Sequence, residues 1–355
     1  MLARAPGLTA ENVRDLFALS GGESHFDASA RLCRQVKMAP AALAFLTAPD
    51  ESTVRADLQW IESSGVRLLL CTDTEYPSLL AATPGAPAAL FILGSVDIVR
   101  SAQLAIVGSR TPTPAGRKTA HDFAAELAYA GLTITSGLAV GVDTASHEGA
   151  LASEGLTVAV FATGLDTVYP SENRRLAARI RERGALVSEF PPRTEPMRRN
   201  FPQRNRVISG LCHGTLVVEA AERSGSLVTA RCAAEQGREV FAIPGSIHSR
   251  LSRGCHKLIR QGATLVESPA DILSELQISP VKQRLMSAPR AVGSTTVLDK
   301  EYEMLLDAFG FEPATIDVLV ERTGLPGESI ASMLLILELE GCVAALPGGR
   351  YDRIP

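Results

Sequence analysis

The sequence lacks most of the features that would assign it a chemistry at once. Its six cysteines (Cys33, Cys71, Cys212, Cys232, Cys255 and Cys342) stand singly, with no CxxC pair and no histidine at a matching interval. That excludes a disulfide framework and a zinc site. Cys212-His213 and Cys255-His256 are neighbours in sequence but make no chelating set, and the thiols read as buried. No apolar run approaches the length of a bilayer span. The start, MLARAPGLTAENVRDLF, mixes charges among its apolar residues and has no secretory cleavage pattern, so a cytoplasmic protein without membrane association is expected. Three motifs are missing as well. The turn GSRTPTPAG is not GxGxxG, no GxxxxGK[ST] occurs, and there is no GxSxG elbow, which disfavours a dinucleotide site, a P-loop ATPase and a serine hydrolase in turn.

What is present is ample chain: 355 residues suit two or three domains with a real apolar core. The net charge of −4 hides a division along the sequence. Counting Lys+Arg against Asp+Glu, residues 1–99 hold 7 and 11, residues 100–279 hold 21 and 17, residues 280–297 hold 3 and 0, and residues 298–355 hold 4 and 11. A basic middle (21 − 17 = +4) thus lies between acidic ends (7 − 11 = −4 and 4 − 11 = −7), and only the middle has a field suited to a polyanion.

Residues 1–80 read as a small helical, SAM-like module, with helices over LTAENVRDLFALSG, ASARLCRQVKM and ADLQWIESSG. Its Gly21-Gly22 pair reads as a helix-breaking loop, and as a phosphate-contacting hairpin only in second place. Over 81–279, apolar runs (LAIVGS, LTITSG, LTVAVFATG, ALVSEF, GTLVVEA, EVFAIPG, TLVES) alternate with amphipathic helices such as RKTAHDFAAELAYAG and ENRRLAARIRERG. This predicts an α/β domain: a doubly wound, mostly parallel, Rossmann-like sheet covered on both faces, with ligands bound beyond the carboxyl ends of its strands. Residues 280–297 are rich in Ser, Pro and Gly and read as a flexible linker. Residues 298–355 read as three helices and a hairpin, a winged-helix pattern.

The strand ends share a composition suited to phosphate. Gly108, Ser109 and Arg110 follow the first run. Ser136, Gly137, Gly141 and Asp143 follow the second, Gly164, Leu165 and Asp166 the third, and Gly245 a later one. Glycine lets backbone N–H groups approach a ligand closely, and a helix starting after such a turn offers free donors and a positive dipole end. Ser224, Gly225 and Ser226 supply another helix start of this kind. One such turn is ordinary; their convergence with arginine is not. RRNFPQRNRVISG places Arg198, Arg199, Arg204 and Arg206 within nine residues without an acid among them. Arg198 and Arg199 suit a solvated surface, whereas Arg204 and Arg206 flank Asn205 immediately before an apolar run and are read as fixed and site-facing.

Together these residues carry a resemblance. VGSR, SGLAVGVDTASHEGAL, TGLDTVYPSEN, FPQRNRVISGL, VVEAAERSGSLVTARCAAEQGREVFAIPG and LIRQGATLV are similar to the successive signature blocks of the DprA (Smf) family, the DNA-processing proteins of natural transformation. The likeness is dense over Leu104–Ile272 and only architectural at the two ends. It implies an extended Rossmann domain that dimerises, binds single-stranded DNA, and loads RecA onto it in competition with single-strand-binding protein. No enzymatic activity, cofactor or metal is implied. The family's DNA-contacting positions fall here on Gly108, Ser109 and Arg110, with Ser136, Gly137, Gly164, Leu165 and the Arg204-Asn205-Arg206 block nearby. Aromatic residues near these motifs are few, Tyr169, Phe190 and Phe201, so stacking is expected to be minor. The winged helix departs from a DNA reader: ESIASMLLILELEG has no basic residue, and Arg350 and Arg353 alone mark the wing.

Two other functions fit parts of the sequence. A nucleotide-processing hydrolase could use two of Asp143, Asp166, Glu189 and Glu219 as acid and base, although each also suits a helix cap or an arginine partner. A winged-helix transcription regulator is the third, opposed by the acidic recognition helix.

Overall fold

The computed structural model describes residues 1–20, 33–278, 300–309 and 313–354. The chain begins with α1 (Ala10–Leu19), α2 (Pro40–Thr47) and α3 (Glu51–Ser64). Thr9 and Asn12 close a capping box at the start of α1, and Asp50 accepts the N–H groups of Ser52 and Thr53 at the start of α3. Then come β1 (Arg67–Leu70), β2 (Ala89–Gly94), β3 (Gln103–Val107), α4 (Pro114–Tyr129), β4 (Thr133–Ser136), α5 (Val142–Ala152) and β5 (Thr157–Val160). The alternation continues with α6 (Arg174–Arg183), β6 (Ala185–Ser188), α7 (Asn200–Leu211), β7 (Gly214–Val217), α8 (Ser226–Glu235), β8 (Glu239–Ala242), α9 (Arg253–Arg260), β9 (Thr264–Leu265) and α10 (Pro269–Glu275). The C-terminal unit is α11 (Lys300–Phe309), β10 (Ala314–Thr315), α12 (Ile316–Thr323), α13 (Gly327–Leu339), β11 (Val343–Leu346) and β12 (Arg350–Arg353).

A nine-stranded sheet runs in the order β1-β2-β6-β5-β4-β3-β7-β8-β9. From β6 to β9 every neighbouring pair is parallel, while β2 joins β6, and β1 joins β2, antiparallel. Every residue of β3 to β7 is buried, as helices on both faces of a parallel sheet require. The chain winds outward from β3 through β4, β5 and β6, then crosses back to β7 and winds the other way. The crevice beyond the ends of β3 and β7 is therefore the topological switch point.

The division at residues 80 and 81 does not follow the packing. β1 lies inside the stretch assigned to the helical module yet extends the large sheet. One apolar core also runs unbroken from Val13, Leu16 and Leu46 in the first helices through Leu80 and Leu90 to Val207 in α7. The Gly21-Gly22 pair, the first five residues of ASARLCRQVKM and the 280–297 linker lie outside the described residues; the described remainder, from Cys33 to Met38, leaves the helix after Cys33 and turns. The C-terminal unit is a winged helix: α11 to α13 pack around Leu305, Phe309, Leu319, Ile330 and Leu334, beside a sheet ordered β10-β12-β11. No helix of the described residues is long and apolar enough to cross a membrane.

Candidate nucleic-acid interface

A cleft of about 560 Å³ opens at the switch point. Its walls are the turn after β3 (Gly108, Ser109, Arg110, Thr111), the exposed side of α7 (Phe201, Pro202, Asn205), and the approach to α8 (Ala221, Arg223, Ser224, Gly225, Ser226). Arg110 is exposed at the mouth, and no carboxylate pairs with it among the described residues. Its guanidinium carbon lies 5.7 Å from the centroid of the Phe201 ring. Phe201 in turn meets Tyr169 edge to face at 5.8 Å, and Tyr169 is 48% exposed. A free cation on an aromatic step offers a phosphate contact beside a surface on which a base can stack. Both rings were visible near the motifs, but their contact was not, because Tyr169 and Phe201 come from separate segments; the expectation that stacking is minor took no account of it. Arg223 also lines the cleft and was not among the expected residues.

Arg204 sits at the floor, fixed and lining the cleft as expected, and what fixes it is the protein's own backbone. It is 5% exposed, and its Nη1 donates to the backbone oxygens of Gly137 (2.5 Å) and Val160 (2.7 Å), which ties the ends of β4 and β5 to α7. Burial lowers its pKa to about 10, opposed by the nearby Asp143 carboxylate, so it stays charged at neutral pH. Asp143 accepts N–H bonds from Gly137 (3.1 Å) and Ala139 (3.3 Å); burial pushes its pKa up, and Arg204 pulls it back. Arg204 Nε has no partner among the described groups. The residue lines the cleft while serving chiefly as a strut.

Arg206 is turned elsewhere. It donates to the Gly85 oxygen and pairs with Glu189, on the side of α7 that faces the N-terminal helices. Burial raises the Glu189 pKa and the Arg206 charge opposes the rise, so this arginine is neutralised within the fold. Asn205, between the two, stays with the cleft and reaches the Gly225 oxygen at 3.4 Å.

The glycine turns divide in the same way. Gly108 lines the cleft. A Cβ at Gly137 would stand 2.0 Å from Arg204 Nη1, and Gly141, at φ +87°, passes so close that its Cβ would stand 2.4 Å from the Ser109 oxygen. Both are needed where one segment of chain crosses another, not where a ligand approaches. Ser136 is buried, donating to the Ile106 oxygen at 2.7 Å. Gly164 and Leu165 do not line the cleft: Gly164 donates to the Thr194 oxygen, and Leu165 enters the core beside Leu138. Ser224, Gly225 and Ser226 do line it, with the two hydroxyls 2.7 Å apart at the start of α8.

The start of α4, expected to be open to phosphate, is already occupied. Glu219 accepts the Thr113 N–H (2.9 Å) and hydroxyl (2.7 Å), and Asp352 of the winged helix accepts the Ala115 N–H. Burial raises the pKa of both carboxyls. With Asp166 bound to the Arg193 N–H at 2.9 and 3.0 Å, each of the four carboxylates considered for acid–base work has a structural partner, and no two of them share one. All six cysteines are free thiols, and among the described residues no three of His, Cys, Asp or Glu gather as a metal site.

Comparison with known proteins agrees with this architecture. Residues 67–277 match the family model for DNA recombination-mediator protein A, and residues 289–349 that for the DprA winged helix domain. The first match starts at β1, where the sheet itself starts. Protein Smf of Escherichia coli K12 is 46% identical over 316 residues, covering 87% of this chain and 83% of that protein. The DNA processing protein DprA of Streptococcus pneumoniae R6 is 46% identical over 205 residues, 58% of this chain and 72% of that one. A solved structure of DprA from Streptococcus pneumoniae aligns with a TM-score of 0.69 at 37% identity, covering 77% of this chain and 95% of that one. A structure of DNA processing protein A from Helicobacter pylori, described for its single-stranded DNA binding mode, aligns at 0.55 with 27% identity, covering 60% and 95%. With a recombination-mediator domain over most of its length and the family's own winged helix after it, the chain belongs to the DprA (Smf) family.

Proposed function

We propose that this protein is a single-stranded DNA-binding recombination mediator that holds the sugar–phosphate chain of incoming DNA in the switch-point cleft. Arg110 carries the reading, as an exposed cation with no carboxylate partner among the described residues, at the mouth of the cleft beside the Phe201–Tyr169 step. Phosphate takes the guanidinium, unstacked bases take the aromatic step, and a duplex, whose bases are already stacked, gains only the first contact. Loading of RecA, displacement of single-strand-binding protein, homodimer formation and a place in natural transformation belong to the same proposal, supported by the family likeness.

The cleft does not favour a nucleotide-processing hydrolase, because Asp143, Asp166, Glu189 and Glu219 are all engaged in holding backbone or arginine. Anisotropy of a labelled oligothymidylate and of a hairpin duplex of equal charge tests the binding claim. The single strand should bind more tightly, and the protein should shorten the lag of RecA assembly on strands coated with single-strand-binding protein. Equal affinity for both DNAs, or an unchanged lag, would overturn the corresponding half of the proposal.

A further inference from the structure

The winged-helix unit presents an exposed apolar face on α13. In a DNA-reading winged helix, α13 would be the helix entering the major groove, with Lys and Arg aimed at phosphates. Here its inner side is core, through Ile330, Met333, Leu334 and Leu337. Its outer side carries Leu335, Ile336 and Leu339, which are 60%, 43% and 82% exposed. Ser332 continues the same stripe one turn earlier, at the i, i+3, i+4, i+7 spacing of a single helix face. Exposed Glu328, Glu338 and Glu340 border it, and α13 contains no Lys or Arg. Arg322 donates to the Ala308 and Phe309 oxygens, and Arg353 to the Leu306 oxygen, so these two guanidinium groups are turned into their own fold.

Three large exposed apolar side chains gather on one helix face, the kind of surface grouping that marks an interaction site when it is contiguous. The bordering charges select the occupant. A duplex would bring its phosphates against Glu338 and Glu340 and leave the leucines without an apolar partner. A second copy meeting face to face would oppose the same glutamates to one another. We propose that this face of α13 docks an amphipathic helical segment of another protein, with Leu-, Ile- or Phe-type residues along its contact stripe and Lys or Arg on either side. The stripe from Ser332 to Leu339 is about 10 Å long at the rise of an α-helix, the length of two turns of a partner lying along it. So small a contact suits a transient association. It joins the DNA-holding domain to a second protein without use of the cleft, and it stands whether or not the cleft binds single strands.

The test uses the full chain, as wild type and as the double variant Leu335→Ser/Leu339→Ser. Both positions are exposed, so the variant keeps its core; unchanged circular dichroism and unchanged oligothymidylate binding check that. The probes are fluorescein-labelled synthetic peptides: an amphipathic Leu/Lys helix, a scrambled peptide of the same composition, and an amphipathic Leu/Glu helix, with a labelled duplex oligonucleotide alongside. The Leu/Lys helix should bind wild type at least about tenfold more tightly than either other peptide, and the double variant should lose about that factor. No binding, equal binding of the scrambled peptide, or undiminished binding by the double variant would overturn the proposal. Duplex binding lost in the double variant would assign the face to DNA instead, and self-association lost in it, read by sedimentation, would assign it to a second copy.

Discussion

Arg110 and Phe201 meet across the mouth of the switch-point cleft, guanidinium over ring at 5.7 Å, from two elements that are adjacent only because β3 and α7 converge there. The contact holds Arg110 by an apolar surface and leaves its N–H groups toward the solvent, where a phosphate can take them.

Removing the ring should therefore affect binding twice. Phe201→Ala loses a base platform worth about 1–3 kcal/mol and also frees Arg110. Phe201→Tyr keeps both roles. Titrating labelled oligothymidylate should show a clear loss of affinity for the first variant and near wild-type affinity for the second; Tyr169→Ala should fall between them.

The two arginines of α7 should separate cleanly by measurement. Arg206→Ala leaves Glu189 buried without its partner and should lower stability by about 1.5–3 kcal/mol, with DNA affinity unchanged in the folded protein. Urea denaturation and strand binding on the same sample decide this. A large loss of affinity in a fully folded Arg206→Ala protein would return Arg206 to the cleft.

Gly137→Ala tests the strut. The added methyl would stand 2.0 Å from Arg204 Nη1, and that guanidinium is fixed by two backbone oxygens and cannot step aside. Overpacking of this kind costs about 1–3 kcal/mol, and because Arg204 lines the floor of the cleft, strand binding should weaken as well. Thermal unfolding and anisotropy should move together.

His147 gives stability a pH dependence of known sign. It is fully buried, hydrogen-bonded to the Thr157 hydroxyl at 2.7 Å, and held by burial at a pKa of about 3 against 6.5 in the unfolded chain. A lowered folded pKa means that the unfolded state binds more protons in between, so the contribution is complete above pH 6.5 and is lost as pH falls toward 3, at up to about 1.4 kcal/mol per pH unit. Asp143, Glu189 and Glu219 have raised folded pKa values and act in the opposite direction as pH rises from the usual carboxylate range. His147→Asn isolates the histidine: between pH 6.5 and 5 wild type should lose stability relative to the variant. Parallel curves would mean that His147 titrates alike in both states.

The central strands were legible because β3 to β7 are buried on both faces and so read as unbroken apolar runs between amphipathic helices. β1 and β2 were not, since antiparallel pairing at a sheet edge is a tertiary choice that four residues such as RLLL do not announce. Arg110 and the 224–226 turn could be placed because strand ends in a doubly wound sheet gather at one rim. Arg204 and Arg206 could not be told apart: residues two positions apart on a helix stand about 200° apart, and which side meets a carboxylate depends on Glu189, brought in from the end of β6. Gly164-Leu165 had the composition of a phosphate turn, but the apolar side chain went to the core. The start of α4 looked open because its occupants, Glu219 and Asp352, lie more than a hundred residues away in sequence.

Salt-dependent binding of a short oligothymidylate by wild type and Arg110→Ala is the most direct test of the cleft. Each phosphate neutralised on a single strand contributes about −0.7 to the slope of log K against log salt. The variant should remain folded, bind at least about tenfold more weakly at low salt, and show a slope shallower by roughly one such contact. Wild-type affinity and slope in Arg110→Ala would contradict a phosphate held at this mouth.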